Sequence, residues 1–291
     1  MIRYNCTDLS SFEILEIFEN LASEQELFLT LDESQLLRFG YSSFIDTAQI
    51  YNLKFLTPTI ENSNITLHFK KLDTSESFHT DADSSEKYGV GTRFFDIDKN
   101  DKFSFLYYYQ KALLFCGIRR KKRILNIGVN RGDELKAIEK LVGSKLQQME
   151  IVGVDYCKSA IEVARESFPS KNYSFYAHDI KELESLNLGR FDMIISIGTL
   201  QSSNLEFNKT FMDLYQNYLA PDGAMLLGFP NCRWIDGEMI YGAKAPNYSF
   251  SEMGLVLKDI YFAKKYLQQK KFRVIISGKD YLFLSAKRDR V

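Results

Sequence analysis

Residues 123–135 read Arg123-Ile124-Leu125-Asn126-Ile127-Gly128-Val129-Asn130-Arg131-Gly132-Asp133-Glu134-Leu135. An apolar run gives way to a glycine turn and then to a helix start. A second apolar run, Ile151-Val152-Gly153-Val154, ends on Asp155. The glycines let backbone pass close to a ligand, and the helix start offers free N–H groups. An acid at the end of the next strand can accept hydrogen bonds from both ribose hydroxyls. The stretch therefore predicts a nucleoside-binding α/β crevice.

Outward from this stretch, strands and helices alternate. Strands are expected at 123–127, 149–155, 174–177, 192–197 and 224–228, with helices at 133–142, 157–167 and 204–219 between them. Such alternation predicts a parallel sheet covered on both faces. A helix over 103–116 precedes the first strand. The end differs: a helix over 251–270 leads to strand 272–277, then Gly278-Lys279-Asp280, then strand 281–286. Two strands joined by three residues form a hairpin, so the last strand should run antiparallel.

The chain has 291 residues and a net charge of −1, which hides an asymmetry. Residues 1–85 hold 14 Asp/Glu against 5 Lys/Arg, a balance of −9; the rest is +8. This sets the expected boundary: a small acidic α+β unit over 1–85 and a main domain over 86–291, with the polar run 81–85 as the loop between them. The first unit shows a helical stripe (Phe12, Ile14, Leu15, Ile17, Phe18, Leu21) and strand-like alternation at Ile65, Leu67 and Phe69. It suits a substrate-selecting module, a cover or a dimerisation unit, so a homodimer is among the expected assemblies. Cys6, Cys116, Cys157 and Cys232 are scattered, as are His68, His79 and His178, so no metal site is expected. No apolar run approaches the ~20 residues of a membrane span, and the start lacks a signal-peptide core, so the expectation is a cytoplasmic protein without membrane contact.

Residues 103–291 resemble the class I S-adenosylmethionine-dependent methyltransferases. The resemblance rests on the glycine loop 126–132, on Gly153-Val154-Asp155, on Phe191-Asp192-Met193-Ile194-Ile195-Ser196-Ile197-Gly198 and on Leu219-Ala220-Pro221-Asp222-Gly223, together with the reversed last strand. It implies a Rossmann-like fold, mostly parallel with an antiparallel last strand, and S-adenosylmethionine as cofactor. The cofactor residues it implies are Asn126, Gly128, Asn130, Gly132, Asp155, Tyr156, Asp179 and Ser196. The loop departs from the family pattern at two positions: a carboxylate usually stands at Asn126 and glycine at Asn130. Asn tolerates positive φ, whereas a neutral amide at 126 removes a charge that helps position the cofactor's ammonium. Plainer roles stand beside these: helix capping for Asp155, a partly buried aromatic for Tyr156 and a solvent-facing acid for Asp179.

Chemistry in open α/β sheets occurs beyond the carboxyl ends of the strands. Two loops are expected there, 196–202 and 228–241. The second carries Arg233, Trp234, Asp236, Glu238 and Tyr241. Glu238, Asp236 and Tyr241 are the candidate bases, and Arg233 a candidate anchor for an acceptor carboxylate or phosphate. The expected activity is methyl transfer to a small-molecule acceptor. The alternatives are a non-catalytic cofactor-binding module, motivated by Asn126, and an RNA methyltransferase, motivated by the basic run 119–123. That run enters the first strand at the edge opposite the catalytic one. G-x-x-x-G in place of G-x-G-x-x-G argues against a dinucleotide enzyme.

Overall fold

The computed structural model describes residues 1–21, 26–74, 86, 88–202, 204–242 and 253–288. The expected interdomain loop 81–85 and the first two positions of the expected last helix, 251–252, lie outside them. The chain divides into two compact units, Met1–Thr80 with Arg233–Tyr241, and Asp81–Cys232 with Gly242–Val291.

The first unit runs β1 (Ile2–Asn5), α1 (Ser11–Glu19), β2 (Glu26–Asp32), α2 (Glu33–Ile50), β3 (Leu53–Glu61) and β4 (Asn64–Lys71). Ser10 and Glu13 cap α1 reciprocally, each accepting the other's backbone N–H. The sheet order is β1-β2-β4-β3; β1 lies parallel to β2, and the other pairs are antiparallel. Strict alternation sends Leu27, Leu29, Leu31, Ile65, Leu67 and Phe69 inward against Ile14, Phe18 and Phe44 of the helices.

The second unit begins with the short α3 (Arg93–Asp96), a 3-10 turn at Lys99–Asp101 and α4 (Phe103–Phe115). It continues with β5 (Arg123–Ile127), α5 (Asp133–Val142), β6 (Glu150–Asp155), α6 (Lys158–Ser167), β7 (Tyr173–Ala177), β8 (Phe191–Ile197), α7 (Phe207–Asp213) and β9 (Leu219–Pro230). The chain then passes through β10 (Cys232–Ile235) and β11 (Glu238–Tyr241) before α8 (Met253–Gln269), β12 (Arg273–Gly278) and β13 (Tyr281–Lys287). The sheet order is β12-β13-β9-β8-β5-β6-β7, parallel except for β13, which runs antiparallel to both neighbours. This is the mostly parallel α/β sheet with a reversed last strand that the sequence predicts. Leu125, Ile127, Val154 and Leu227 pack against Phe211, Leu214, Ile260 and Leu267 on one face. By alternation, Ile124 and Asn126 point to the opposite face. Among the described residues, no helix is long and apolar enough to cross a membrane.

Two local expectations change. The helix expected over 204–219 ends at Asp213 and continues as one π turn over Leu214–Tyr218, before β9 starts at Leu219 rather than 224. The expected long loop 228–241 instead contains the two-stranded β10-β11 sheet. Asp236 (φ 49°) and Gly237 (φ 74°) form its turn, the Asp-Gly pair that two-residue hairpins favour.

Candidate active site

Beyond β5 the backbone enters the left-handed region at Gly128 (φ 74°), Asn130 (φ 46°) and Gly132 (φ 90°). Gly128 has no room for a side chain, because a Cβ would collide with Thr199 at the end of β8, whose hydroxyl bonds to the Ile127 carbonyl at 3.3 Å. Asn130 tolerates its conformation by local bonding. Its Oδ1 accepts from Arg131 N at 2.9 Å, and its Nδ2 donates to the Tyr88 carbonyl at 3.1 Å.

Asp155 closes β6 and ties this loop to the next helix. Its Oδ2 accepts from Asn130 N at 2.8 Å, and its Oδ1 from Cys157 N at 2.9 Å. The Cys157 bond is part of the capping role that the sequence allowed for, and the Asn130 bond goes beyond it. Ribose hydroxyls would donate to the accepting capacity that the carboxylate keeps beside its backbone bonds. Burial pushes the Asp155 carboxyl above its ordinary range, opposed by the backbone N–H groups of Cys157, Asn130 and Tyr156 and by the charge of Lys99. Burial also raises the Tyr88 phenol, and the Asp155 charge adds to that rise, so Tyr88 lies in the field of the same carboxylate.

The remaining expected cofactor residues divide by exposure. Asn126 is 1% exposed and Ser196 2%, and Asn126 Oδ1, Asn126 Nδ2 and Ser196 Oγ have no hydrogen-bond partner within the chain. Buried polar atoms normally have partners, and these three have none within the chain. Tyr156 is 62% exposed beside Asp155. Asp179 caps the 3-10 turn after β7, its Oδ1 accepting from Lys181 N at 2.9 Å. An open acid pair on the ribose, a positive-φ loop and an unpaired buried amide suit the nucleoside and amino-acid ends of S-adenosylmethionine. Bound there, the cofactor would supply an electrophilic methyl group, and these residues would bind and orient it.

Several contributors were not predicted. Glu86 caps the start of α6 through Ser159 and Cys157 Sγ, which pins the segment carrying Tyr88 beside Asp155. Lys99 bonds Glu134 at 3.5 Å. No local pattern announces these pairs, since the partners lie 71–73 and 35 positions apart. Burial pushes the Cys232 thiol up and Asp280 adds to the shift, which disfavours the thiolate that a nucleophile needs. Asp192 accepts from Lys122 N and Arg123 N at the far edge of the sheet. Among the described residues, no cluster of three or more His, Cys, Asp or Glu could hold a metal ion.

The candidate catalytic residues belong to the first unit. Arg233 Nη2 donates to Asn52 Oδ1 at 2.8 Å, and Glu238 pairs with Lys54. The Tyr241 N–H donates to Gln49 Oε1 at 3.2 Å, while its ring is 51% exposed. Ile235 and Ile240 pack on Leu72.

The sheet order and the β5–β6 site define a class I S-adenosylmethionine-dependent methyltransferase. A family model described as "Methyltransferase domain" matches residues 118–277, more than half of the chain, and the chain belongs to that family. No curated protein matches it. Among solved structures it is similar to the CurJ carbon methyltransferase (TM-score 0.44, 16% identity), over 71% of this chain and 57% of that one. It is also similar to the plantazolicin methyltransferase BpumL, solved with a desmethyl-plantazolicin analogue and S-adenosylhomocysteine (TM-score 0.43, 15% identity, 71% and 94%). A third is the DszA carbon methyltransferase (TM-score 0.49, 12% identity, 96% and 87%).

Proposed function

We propose that this methyltransferase acts on a small-molecule acceptor. The observation that carries the reading is the charge arrangement around the glycine loop. Lys99 pairs with Glu134, Arg131 with Asp133 and Asp98, and Lys136 with Asp98 and Asp133. Cations that each face a carboxylate do not form the stripe of phosphate contacts that nucleic acid needs. The basic run 119–123 enters β5 at the other edge, where Arg123 is held by Glu150, by the Phe191 ring and by the carbonyls of Arg190 and Leu188. The acidic balance of residues 1–85 also disfavours a polyanion.

Within this reading, Glu238 or Tyr241 accepts the acceptor's proton and Arg233 anchors an anionic group on it. Incubation with methyl-labelled cofactor and cell extract tests the reading. Label in low-molecular-weight products is expected; label in RNA would overturn the choice of acceptor class.

A further inference from the structure

The buried amide of Asn126 leaves the amino-acid end of the cofactor without the usual carboxylate, yet a carboxylate stands close by in the fold. Glu134, in the first turn of α5, is 5% exposed, and its one ion-pair partner among the described residues is Lys99. At 3.5 Å this pair is longer than the 2.7–2.9 Å of a well-made charge-assisted bond, and neither charge is fully used by the other. Burial raises the Glu134 carboxyl above its ordinary range despite Lys99, the sign of a charge that lacks compensation.

Lys99 is held in place by its neighbours. Its turn is tied to the start of α5 by Asn100 Nδ2 on the Asp133 carbonyl at 2.9 Å and by Asp98 facing Lys136 and Arg131. The ammonium lies 5.9 Å from the Tyr281 ring centroid, and its field reaches Asp155 as well as Glu134. It therefore stands beside α5, and its charge also acts on Asp155. Asn126 points to the sheet face on which α4 packs. There the fully buried Tyr109 hydroxyl also lacks a partner and lies in the field of Glu134.

The geometry points to Glu134 and Lys99 as the receptor for the amino-acid end of S-adenosylmethionine, Glu134 taking the ammonium and Lys99 the carboxylate. A zwitterion entering a loose ion pair exchanges one mate for two and leaves four alternating charges. The Asn126 amide, which can donate and accept, completes the set without adding a charge. This division of labour explains how the loop works with a neutral residue at 126. It rests on S-adenosylmethionine being the methyl donor.

The test compares two ligands by calorimetry: S-adenosylhomocysteine, which has the amino-acid end, and 5′-methylthioadenosine, which lacks it. Glu134→Gln should weaken the first by about ten- to a hundredfold, the scale of a lost bond to a charged group, and leave the second within about twofold. Lys99→Met, in a partly exposed turn, should give the same split and serves if the buried variant does not fold. Equal losses on both ligands in folded variants, or no loss on either, would overturn the inference alone. Wild-type protein that binds neither ligand would overturn the cofactor assignment and the inference with it.

Discussion

The backbone N–H of Asn130 donates to Oδ2 of Asp155 at 2.8 Å, so the tip of the glycine loop and the end of the second sheet strand form one rigid corner. That corner joins the two parts of the expected nucleoside site, and the Gly128 and Val129 N–H groups, both donating to the Val154 carbonyl, reinforce it.

Asp155→Ala should therefore weaken S-adenosylmethionine binding by about 1.5–3 kcal/mol, the scale of hydrogen bonds to a charged group. Calorimetry on the folded variant measures it. Unchanged affinity would remove Asp155 from the site.

Gly128→Ala combines a left-handed φ with a collision against Thr199, so thermal unfolding should show a loss of more than about 1 kcal/mol. A variant as stable as wild type would mean that the Gly128–Thr199 contact is not tight in solution.

Asn126→Asp restores the family's usual charge in a fully buried position. Cofactor affinity should be preserved or increased, while the ligand-free protein loses stability because the new carboxylate has no partner of its own. Parallel calorimetry and denaturant unfolding read the two effects. Weaker binding would show that Asn126 is adapted to something other than a cationic ammonium.

Burial raises the Glu134 carboxyl above its ordinary value of 4.5, so the folded state holds a proton that the unfolded chain has already released. Stability from this group is greatest at low pH and falls as pH rises from about that value through the raised one. Unfolding free energy of wild type minus that of Glu134→Gln should therefore fall with rising pH. A difference that grows with pH would contradict a desolvated Glu134.

Much of the second unit was legible because its signals are local. Apolar runs bounded by Gly128, Asp155 and Gly198 mark buried strands, and Gly278-Lys279-Asp280 between two such runs predicts the reversed β13. The place of Asp155 at the end of β6 was legible for the same reason. Lys99 was not, since its place depends on a turn clamped to α5 through Asp98 and Asn100, contacts that no periodicity records. Arg233 and Glu238 show the same limit: their partners Asn52 and Lys54 lie about 180 positions away in the chain. The Asp236-Gly237 pair did offer a local clue to the hairpin, but the cluster of charged residues around it made the segment read as a loop.

Methyl transfer itself is the claim on which the rest depends. Wild-type protein and Asp155→Ala are incubated with methyl-labelled S-adenosylmethionine and cell extract, and label is sorted into small molecules, protein and RNA. The account predicts label in the small-molecule fraction, formed together with S-adenosylhomocysteine and strongly reduced by Asp155→Ala. Cofactor binding confirmed by calorimetry, with no labelled product in any fraction, would contradict it.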